Sequence, residues 1–233
     1  MSLSVEPLPR NRAELVSAWA KYSSHIDLKR AVRPVTCMIT DRRRFAGGED
    51  ALVHRVGAAA NAGVHLVQVR ERDMEARDLS RLVARCVAAV HNTRTRILVN
   101  DRLDVALTAG AHGVHLRADS IPASRARSLA PIGFLIGRSV HTVAEAVTAH
   151  ADGGVDYLLF GAVFATTSKP GQAPAGVQAL ADVVRATPVP VLAVGGISRE
   201  TVSQLEGTGC AGVAAIGWFT DGTKPHGQSE STG

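Results

Sequence analysis

The strongest constraint on the fold is a repeat of short β-branched runs, each followed by a polar turn and then a helical stretch, that begins at Val35. Helical patterns occupy the intervals, for example Ala76–His91, His141–Ala151 and Val177–Thr187. Eight strands that alternate with helices, with no GxGxxG sequence after a strand, predict an α/β fold with a single (β/α)₈ TIM barrel rather than an open doubly wound sheet. The predicted strands are Val35–Asp41, Val64–Arg70, Arg96–Asp101, Gly113–Leu116, Phe134–Ser139, Tyr157–Phe160, Val189–Val194 and Gly212–Ile216.

The barrel accounts for most of the 233 residues but not for the two ends of the chain. We predict an N-terminal extension over residues 1–34, a barrel over 35–219, and a polar, flexible tail over 220–233. The extension contains one amphipathic helical pattern, from Arg12 to about Tyr22. Because the tail is too polar for an eighth barrel helix, we expect the N-terminal helix to cover the gap between strands 8 and 1.

Composition limits the classes of partner. The net charge of +5 is explained by a basic surface or by arginines that converge on an anionic substrate. Basic runs interleaved with aromatic residues are missing, so we expect no nucleic-acid partner. No apolar stretch reaches the roughly 18 residues that span a membrane, and the N-terminus does not resemble a signal peptide. The three cysteines form no CxxC pair, which favours a reducing, cytoplasmic location without a membrane partner.

Polar residues and glycines follow almost every predicted strand, where a barrel of this kind binds its substrate. Gly195-Gly196 follows strand 7 and Ile216-Gly217 closes strand 8, the two positions at which barrels commonly bind phosphate. These glycines also fit a simpler role as tight turns. The candidate substrate- and phosphate-binding residues are Gln68, Arg70, Arg72, Asn100, Ser139, Thr166, Ser168, Lys169, Gly195, Gly196, Ile216 and Gly217.

Two histidines fall in informative places. His141 follows strand 5, and a neutral imidazole there could take and give a proton as a general acid and base, although capping or packing is an equal alternative. His115 alternates toward the barrel interior, which predicts a core histidine with satisfied hydrogen bonds. Lys169 lies on a long loop after strand 6, where it either binds an anion or is solvated surface.

At these residues the sequence resembles the thiamine-phosphate synthase and thiazole tautomerase (TenI-like) superfamily, over about Val35–Phe219. The resemblance implies a TIM barrel, a role in thiamine biosynthesis, a small phosphorylated thiazole as substrate and a homo-oligomer. It is carried by Ile39-Thr40-Asp41, Gln68-Val69-Arg70-Glu71-Arg72, Val99-Asn100-Asp101-Arg102, Gly113-Val114-His115-Leu116, Gly137-Arg138-Ser139-Val140-His141, Phe160-Gly161-Ala162-Val163-Phe164, Ser168-Lys169-Pro170-Gly171 and Ala193-Val194-Gly195-Gly196-Ile197.

The synthase branch joins a pyrimidine diphosphate to a thiazole phosphate and releases pyrophosphate. The resemblance then implies that Gln68, Arg70, Asn100 and Asp101 serve the pyrimidine and its diphosphate-magnesium group, with Asp101 as a metal ligand and Mg²⁺ as cofactor. Two positions depart from that pattern. Arg72 stands where a lysine is expected, and Ser120 stands where a second metal-binding aspartate is expected, with Asp119 beside it.

The tautomerase branch aromatises a carboxythiazole phosphate by proton transfer and needs no metal or organic cofactor. The Arg-Glu-Arg, Gly-Arg-Ser-Val-His and Ser-Lys-Pro-Gly strings resemble this branch more closely, and the resemblance implies His141 as its acid and base. We therefore favour a thiazole tautomerase, with the synthase as the alternative. A non-catalytic barrel that binds thiazole or thiamine phosphates is a second alternative, which the presence of both Asp101 and His141 disfavours.

Overall fold

The strands of the chain close into a barrel. The structure, a computed structural model, describes residues 34–166, 171 and 173–217. Within that range eight parallel strands pair in chain order, and Met38 on the first strand pairs with both Val67 and Ala215. The predicted TIM barrel is therefore confirmed. The strands are β1 (Val35–Ile39), β2 (Leu66–Val69), β3 (Arg96–Asn100), β4 (Gly113–Leu116), β5 (Leu135–Val140), β6 (Tyr157–Phe160), β7 (Val191–Val194) and β8 (Gly212–Ala215).

Helices cover the outside of the barrel. They form because their apolar residues recur at helical spacing, as in the buried stripe Leu79, Leu82, Val83 and Cys86. Short 3₁₀ turns follow β1 and β7, over Arg42–Arg44 and Val202–Leu205. Along the described residues, no helix combines the length and apolar character that crossing a membrane requires. The helices of this range are α1 (Gly48–Asn61), α2 (Ala76–Ala89), α3 (Leu103–Thr108), α4 (Ala123–Leu129), α5 (Val143–Asp152) and α6 (Gly176–Ala186).

The core has an inner and an outer layer. Alternate residues of β1, such as Val35, Cys37 and Ile39, point into the barrel, where they pack with Leu66, Leu98 and other strand residues. The intervening residues pack against the helices. Burial raises the pKa of the Cys37 and Cys86 thiols to about 12, so neither is a thiolate nucleophile at neutral pH.

The structure corrects several predicted boundaries. The first strand ends at Ile39 rather than Asp41, because Asp41 begins the 3₁₀ turn, where the Arg44 N–H donates to its carbonyl at 3.1 Å. The fifth helix begins at Val143 rather than His141, because Thr142 caps it by accepting from the Glu145 backbone N–H. The predicted N-terminal helix, its packing beside strand 8 and the tail over 220–233 lie outside the described residues.

His112, just before β4, predicts how acid affects the fold. Its Nδ1 accepts from the Ile97 backbone N–H at 2.9 Å, and burial, followed by Arg96, lowers the pKa of His112 from 6.5 to about 4. The unfolded chain therefore binds more protons between those pH values, so stability is complete above pH 6.5 and is lost as the pH falls. We expect this residue to lower the free energy of unfolding by about 1.4 kcal/mol per pH unit in that window.

Urea unfolding at a series of pH values from neutral to mildly acidic checks this expectation against His112→Asn. The variant should show a flatter dependence of stability on pH. An unchanged slope would contradict the assignment.

Candidate functional site

A cavity of about 650 Å³ opens at the carboxyl ends of the strands. The structure brings together there all but one of the predicted site residues that it describes. Asp101 instead faces a smaller adjoining cavity, which shares Arg72, Asn100 and Arg117 with the main one. Ser168 and Lys169 lie outside the described residues. The predicted residues that line the main cavity are Gln68, Arg70, Arg72, Asn100, Ser139, His141, Thr166, Gly195, Gly196, Ile216 and Gly217.

One side of the cavity is cationic. Arg70 and Arg72 come from the end of β2, and Arg117 follows β4. Desolvation, followed by repulsion from Arg72, lowers the pKa of Arg70, which shows that its charge lies in a partly buried and positive environment. Among the described residues no carboxylate forms a salt bridge with Arg70. This side, here called the arginine wall (Arg70, Arg72 and Arg117), is therefore suited to a multiply charged anion.

The opposite side is built from glycines. Gly195 and Gly196 have φ values of 95° and 65°, and added Cβ atoms would lie 2.5 Å from the Ala162 Cβ and 2.4 Å from the Ala165 carbonyl oxygen. Backbone conformation and packing thus require both glycines. Gly217 is different, because the nearest described atom to an added Cβ is Arg44 Nη1, at 3.9 Å. Neither the backbone nor the packing of the described residues requires a glycine there.

Arg44 lines the cavity but was not among the site residues predicted from the sequence. It belongs to the 3₁₀ turn after β1, lines the cavity beside Gly217, and its Nε lies 3.5 Å from Asp41. Strands β1 and β8 are adjacent only because the barrel closes, so the loop after β1 meets the end of β8. The only sequence signal was the run of three arginines after Asp41. We call Gly195, Gly196, Ile216, Gly217 and Arg44 the glycine wall.

Asp101 is held in a strained position at the end of β3. Its φ is 63°, and the Arg102 N–H donates to the Asn100 carbonyl across it at 2.8 Å, which makes a γ-turn. Left-handed conformations of residues other than glycine cluster at functional sites. The Ser120 hydroxyl donates to the Asp101 carboxylate, and Arg117 lies 3.7 Å from it. This backbone conformation places the Asp101 carboxylate beside Arg117 of the arginine wall.

The loop after β4 brings a second carboxylate to the same place. Asp119 pairs with Arg117 at 2.5 Å, so one guanidinium contacts both Asp101 and Asp119. Arg138 fixes this loop by donating to the carbonyls of Ala118 and Ile121, at 2.8 and 2.9 Å. Arg138, in the Gly-Arg-Ser-Val-His string, thus positions a loop and does not line the cavity.

The carboxylates fit a magnesium ion that arrives on a phosphorylated ligand. In the described part of the chain, no three His, Cys, Asp or Glu side chains lie close enough to hold a metal by themselves. Mg²⁺ in phosphate sites commonly takes one or two carboxylates and fills its shell with water and substrate oxygens. Asp101 and Asp119 supply two such carboxylates beside the arginine wall, and Ser120 adds a hydroxyl oxygen.

His141 lines the cavity from the end of β5. Its backbone N–H donates to Glu145 at 2.7 Å, and its Nδ1 lies 2.6 Å from the Gly161 carbonyl oxygen. A carbonyl oxygen only accepts, so Nδ1 carries the proton, and in the neutral ring Nε2 carries the lone pair. His141 is exposed, so its Nε2 lone pair is accessible as a base.

The interior polar residues divide into satisfied and unsatisfied ones. His115 is buried with both ring nitrogens hydrogen-bonded, so the predicted core histidine is confirmed. Glu71 is buried and accepts from Thr40 and from the Arg42 backbone and side chain, so it braces the loops after β1 and β2. Gln68 is 2% exposed, and its Nε2 has no hydrogen-bond partner among the described residues. Gln68 belongs to the cavity lining, and its buried Nε2 is a donor that the described residues leave unsatisfied.

Comparison with known proteins identifies the family. Residues 36–219 match the family model described as thiamine monophosphate synthase (TMP-TENI). The chain belongs to the thiamine monophosphate synthase family. A thiamine-phosphate synthase of Roseiflexus sp. is 39% identical over 183 residues, which cover 78% of this chain and 76% of the relative. One of Methanoculleus marisnigri is 39% identical over 180 residues, which cover 77% and 84%.

Solved structures agree with this assignment. The thiamine phosphate pyrophosphorylase from Pyrococcus furiosus is 30% identical, with a TM-score of 0.69 over 82% of this chain and 87% of that one. Membership of the thiamine monophosphate synthase family makes the chain an enzyme of thiamine biosynthesis. The relatives named above are synthases, so the predicted tautomerase branch is not confirmed.

Proposed function

We propose that the chain is a thiamine-phosphate synthase, which joins a pyrimidine diphosphate to a thiazole phosphate and releases pyrophosphate. The observation that carries this proposal is the pairing of two anion-binding walls across one cavity. The arginine wall suits a diphosphate, and the glycine wall suits a monophosphate. A tautomerase substrate has one phosphate and one carboxylate, so the synthase reaction better explains Arg70 and Arg72 opposite the glycines, two arginines that form no salt bridge among the described residues.

The cavity also suits two heterocycles. A volume of about 650 Å³ lies within the usual range for small-molecule sites, and the cavity floor includes apolar residues such as Ile39 and Leu159. Gln68 lies in the cavity lining with an unsatisfied Nε2, and a small rotation of its amide would present this donor to a ring nitrogen of the pyrimidine. The pyrimidine would therefore lie near β2, with its diphosphate against the arginine wall.

The chemical step is a substitution at carbon. The carbon–oxygen bond to the diphosphate breaks, its electron pair leaves with pyrophosphate, and a carbon–nitrogen bond forms to the thiazole ring. Arg70, Arg72 and Arg117 neutralise the negative charge that grows on the departing pyrophosphate. The glycine wall holds the thiazole phosphate, and fixing both partners supplies proximity and orientation.

Magnesium, when bound by Asp101 and Asp119, would supply further charge neutralisation at the diphosphate. Ser120 and Arg117 orient the Asp101 carboxylate, and a bound ion would take the place of the 3.7 Å contact with Arg117. Ser120 in place of an aspartate leaves the site with less negative charge, which predicts a weaker affinity for Mg²⁺ and a greater dependence on the arginines.

Thiazole tautomerisation remains the second candidate because of His141. The imidazole lines the cavity with Nε2 free to take a proton from a carbon acid, and general acid–base catalysis needs a base in that state. In that reaction the glycine wall would hold the phosphate of the carboxythiazole, and neither Asp101 nor a cofactor would take part.

Assays with the two substrate sets test the proposal. The full-length protein is incubated with hydroxymethylpyrimidine diphosphate and thiazole phosphate, with and without Mg²⁺, and pyrophosphate release is measured. A second reaction contains carboxythiazole phosphate alone and follows aromatisation. We expect magnesium-stimulated pyrophosphate release that requires both substrates. Aromatisation without pyrophosphate release, lost in His141→Ala, would replace the synthase with the tautomerase.

Tight binding of both phosphates without turnover in either assay would instead favour a non-catalytic binding barrel.

A further inference from the structure

A chain of three side chains connects the barrel interior to the cavity. The Tyr157 hydroxyl lies 3.0 Å from His115 Nδ1, and His115 Nε2 lies 2.9 Å from Ser139 Oγ. The three residues come from β6, β4 and β5, and they lie 24 and 42 positions apart along the chain. Tyr157 is fully buried and His115 is 2% exposed, whereas Ser139 lines the cavity. His115 also belongs to the cavity lining, but both of its ring nitrogens are already hydrogen-bonded, so Ser139 is the member of the three that can still offer a hydrogen bond to a ligand.

The direction of these hydrogen bonds follows from what each group can do. His115 Nδ1 is the one acceptor that the described residues offer to the buried Tyr157 hydroxyl. A buried O–H must donate, so Tyr157 donates to Nδ1. A neutral imidazole carries a single N–H, which must then be on Nε2 and point at Ser139 Oγ. The serine oxygen accepts that bond, and its own proton is left for the cavity.

The imidazole stays neutral throughout the physiological range. Burial, followed by the charges of Arg138 and Arg70, lowers the pKa of His115 from 6.5 to about 3. An imidazolium would donate from both nitrogens and lose the bond from Tyr157. The His115 ring is therefore held in one tautomer by the tyrosine on one side and the serine on the other.

The strand backbone fixes the tyrosine in place. A Cβ added at Gly137 would lie 2.1 Å from Tyr157 Cζ and 2.4 Å from the tyrosine oxygen. Glycine at this position of β5 thus makes the space that the ring occupies. Phenylalanine fits the same space, so the hydroxyl can be removed while the packing of the ring is kept.

We propose that Tyr157 is a positioning residue that, by selecting the His115 tautomer, makes the Ser139 hydroxyl a donor to an anionic phosphate oxygen of the ligand. Arg70 lines the same cavity, so the serine donor and the arginine wall act on one kind of group. The geometry of the three side chains is independent of the reaction. The identity of the anion as a diphosphate rests on the proposed synthase function.

Tyr157→Phe tests the proposal at the imidazole itself. Nitrogen-15 NMR of the ligand-free protein, with His115 assigned by loss of its signals in His115→Gln, reports which ring nitrogen carries the proton. We expect the proton on Nε2 in the wild type and a mixture of tautomers in Tyr157→Phe. A wild-type ring with its proton on Nδ1 would overturn the proposal, whether or not the enzyme turns over.

Binding of inorganic pyrophosphate provides the second measurement. We expect Tyr157→Phe and Ser139→Ala each to weaken the affinity about tenfold, the effect of one hydrogen bond to a charged group. Because the tyrosine acts through the serine, Tyr157→Phe should add nothing in the Ser139→Ala background. Additive losses, or a wild type that does not bind pyrophosphate, would contradict the assigned role of Ser139.

Thr95→Val is the matched control. The Thr95 hydroxyl donates to the Val64 carbonyl at 2.6 Å, just before β3 and hence at the other end of the barrel. The variant removes one buried hydrogen bond without touching the cavity. Thr95→Val should leave the His115 tautomer and the pyrophosphate affinity as in the wild type. If Thr95→Val also weakened pyrophosphate binding, the effect of Tyr157→Phe would be general destabilisation.

Discussion

Gly217→Val is expected to weaken the binding of thiazole phosphate about 100-fold while the protein stays folded. The backbone at Gly217 is outside the left-handed region, and an added Cβ meets no described atom closer than Arg44 Nη1 at 3.9 Å. Valine therefore fits the barrel, but its methyl groups occupy space beside the glycine wall. A phosphate kept from the backbone loses charge-assisted hydrogen bonds worth about 1.5–3 kcal/mol each. Calorimetry with thiazole phosphate measures the effect.

Gly57→Ala is the matched control for that variant. Gly57 lies in α1 on the outside of the barrel, where an added Cβ makes ordinary contacts, the nearest at 3.7 Å from the Ala89 carbonyl oxygen. Alanine in a helix is neutral or stabilising relative to glycine. The control should bind thiazole phosphate like the wild type. Equal binding by Gly217→Val and wild type would remove Gly217 from the phosphate site.

Gly217 is a sharper probe than the diglycine after β7. Substituting Gly195 or Gly196 forces a side chain into left-handed backbone and into contact with residues 162–165. A loss of binding in those variants would not separate ligand contact from misfolding. The described contacts therefore explain the diglycine as a tight turn whether or not it binds a ligand, whereas they give no such packing reason for Gly217, which makes Gly217 the cleaner test of phosphate binding.

The architecture was predictable because it depends on local periodicity. Strands buried on both faces read as apolar runs, and the helices between them show amphipathic stripes such as that of α2. Boundaries were less predictable because single side chains set them. Asp41 starts a 3₁₀ turn directly after β1, and Thr142 caps α5 so that the helix begins at Val143, interactions that no periodic pattern contains.

The candidate site was predictable only where it follows strand ends directly. Gln68, Arg70 and Asn100 lie at the carboxyl ends of β2 and β3, so the count of strands was enough to place them. Arg44 and Arg117 belong to turns beyond their strands, and barrel closure or a loop contact brings them to the cavity. Sequence spacing carries no information about such approaches.

The choice between synthase and tautomerase depended on two positions, Arg72 and Ser120, that differ from the synthase pattern. The structure shows what these residues and their neighbours contact. Ser120 donates to Asp101 instead of adding a third negative charge, and Arg117 binds both remaining carboxylates. Arg72 keeps a cation in the wall. These contacts are compatible with the proposed diphosphate site, and together with the synthases among the relatives they are why we now favour the synthase over the tautomerase that the motifs first indicated.

Arg70→Ala is expected to have the opposite selectivity to Gly217→Val. It should weaken the binding of inorganic pyrophosphate about 100-fold, since a partly buried guanidinium makes one or more charge-assisted bonds of about 1.5–3 kcal/mol to a diphosphate. Thiazole phosphate should bind within about twofold of the wild type, because it uses the glycine wall. Desolvation and the neighbouring Arg72 already penalise the charge on Arg70, so an anion there relieves an unfavourable interaction.

Arg96→Ala supplies the control at the other end of the barrel. Arg96 begins β3, and burial lowers its pKa as it does for Arg70, but it does not line the cavity. Pyrophosphate affinity should be unaffected by that change. Small and equal losses for both ligands in Arg70→Ala would mean that a single monoester occupies the cavity. Opposite selectivities in Arg70→Ala and Gly217→Val would show two distinct anion sites in one cavity. Joining two phosphorylated substrates needs two such sites, whereas moving a proton within one phosphorylated substrate does not.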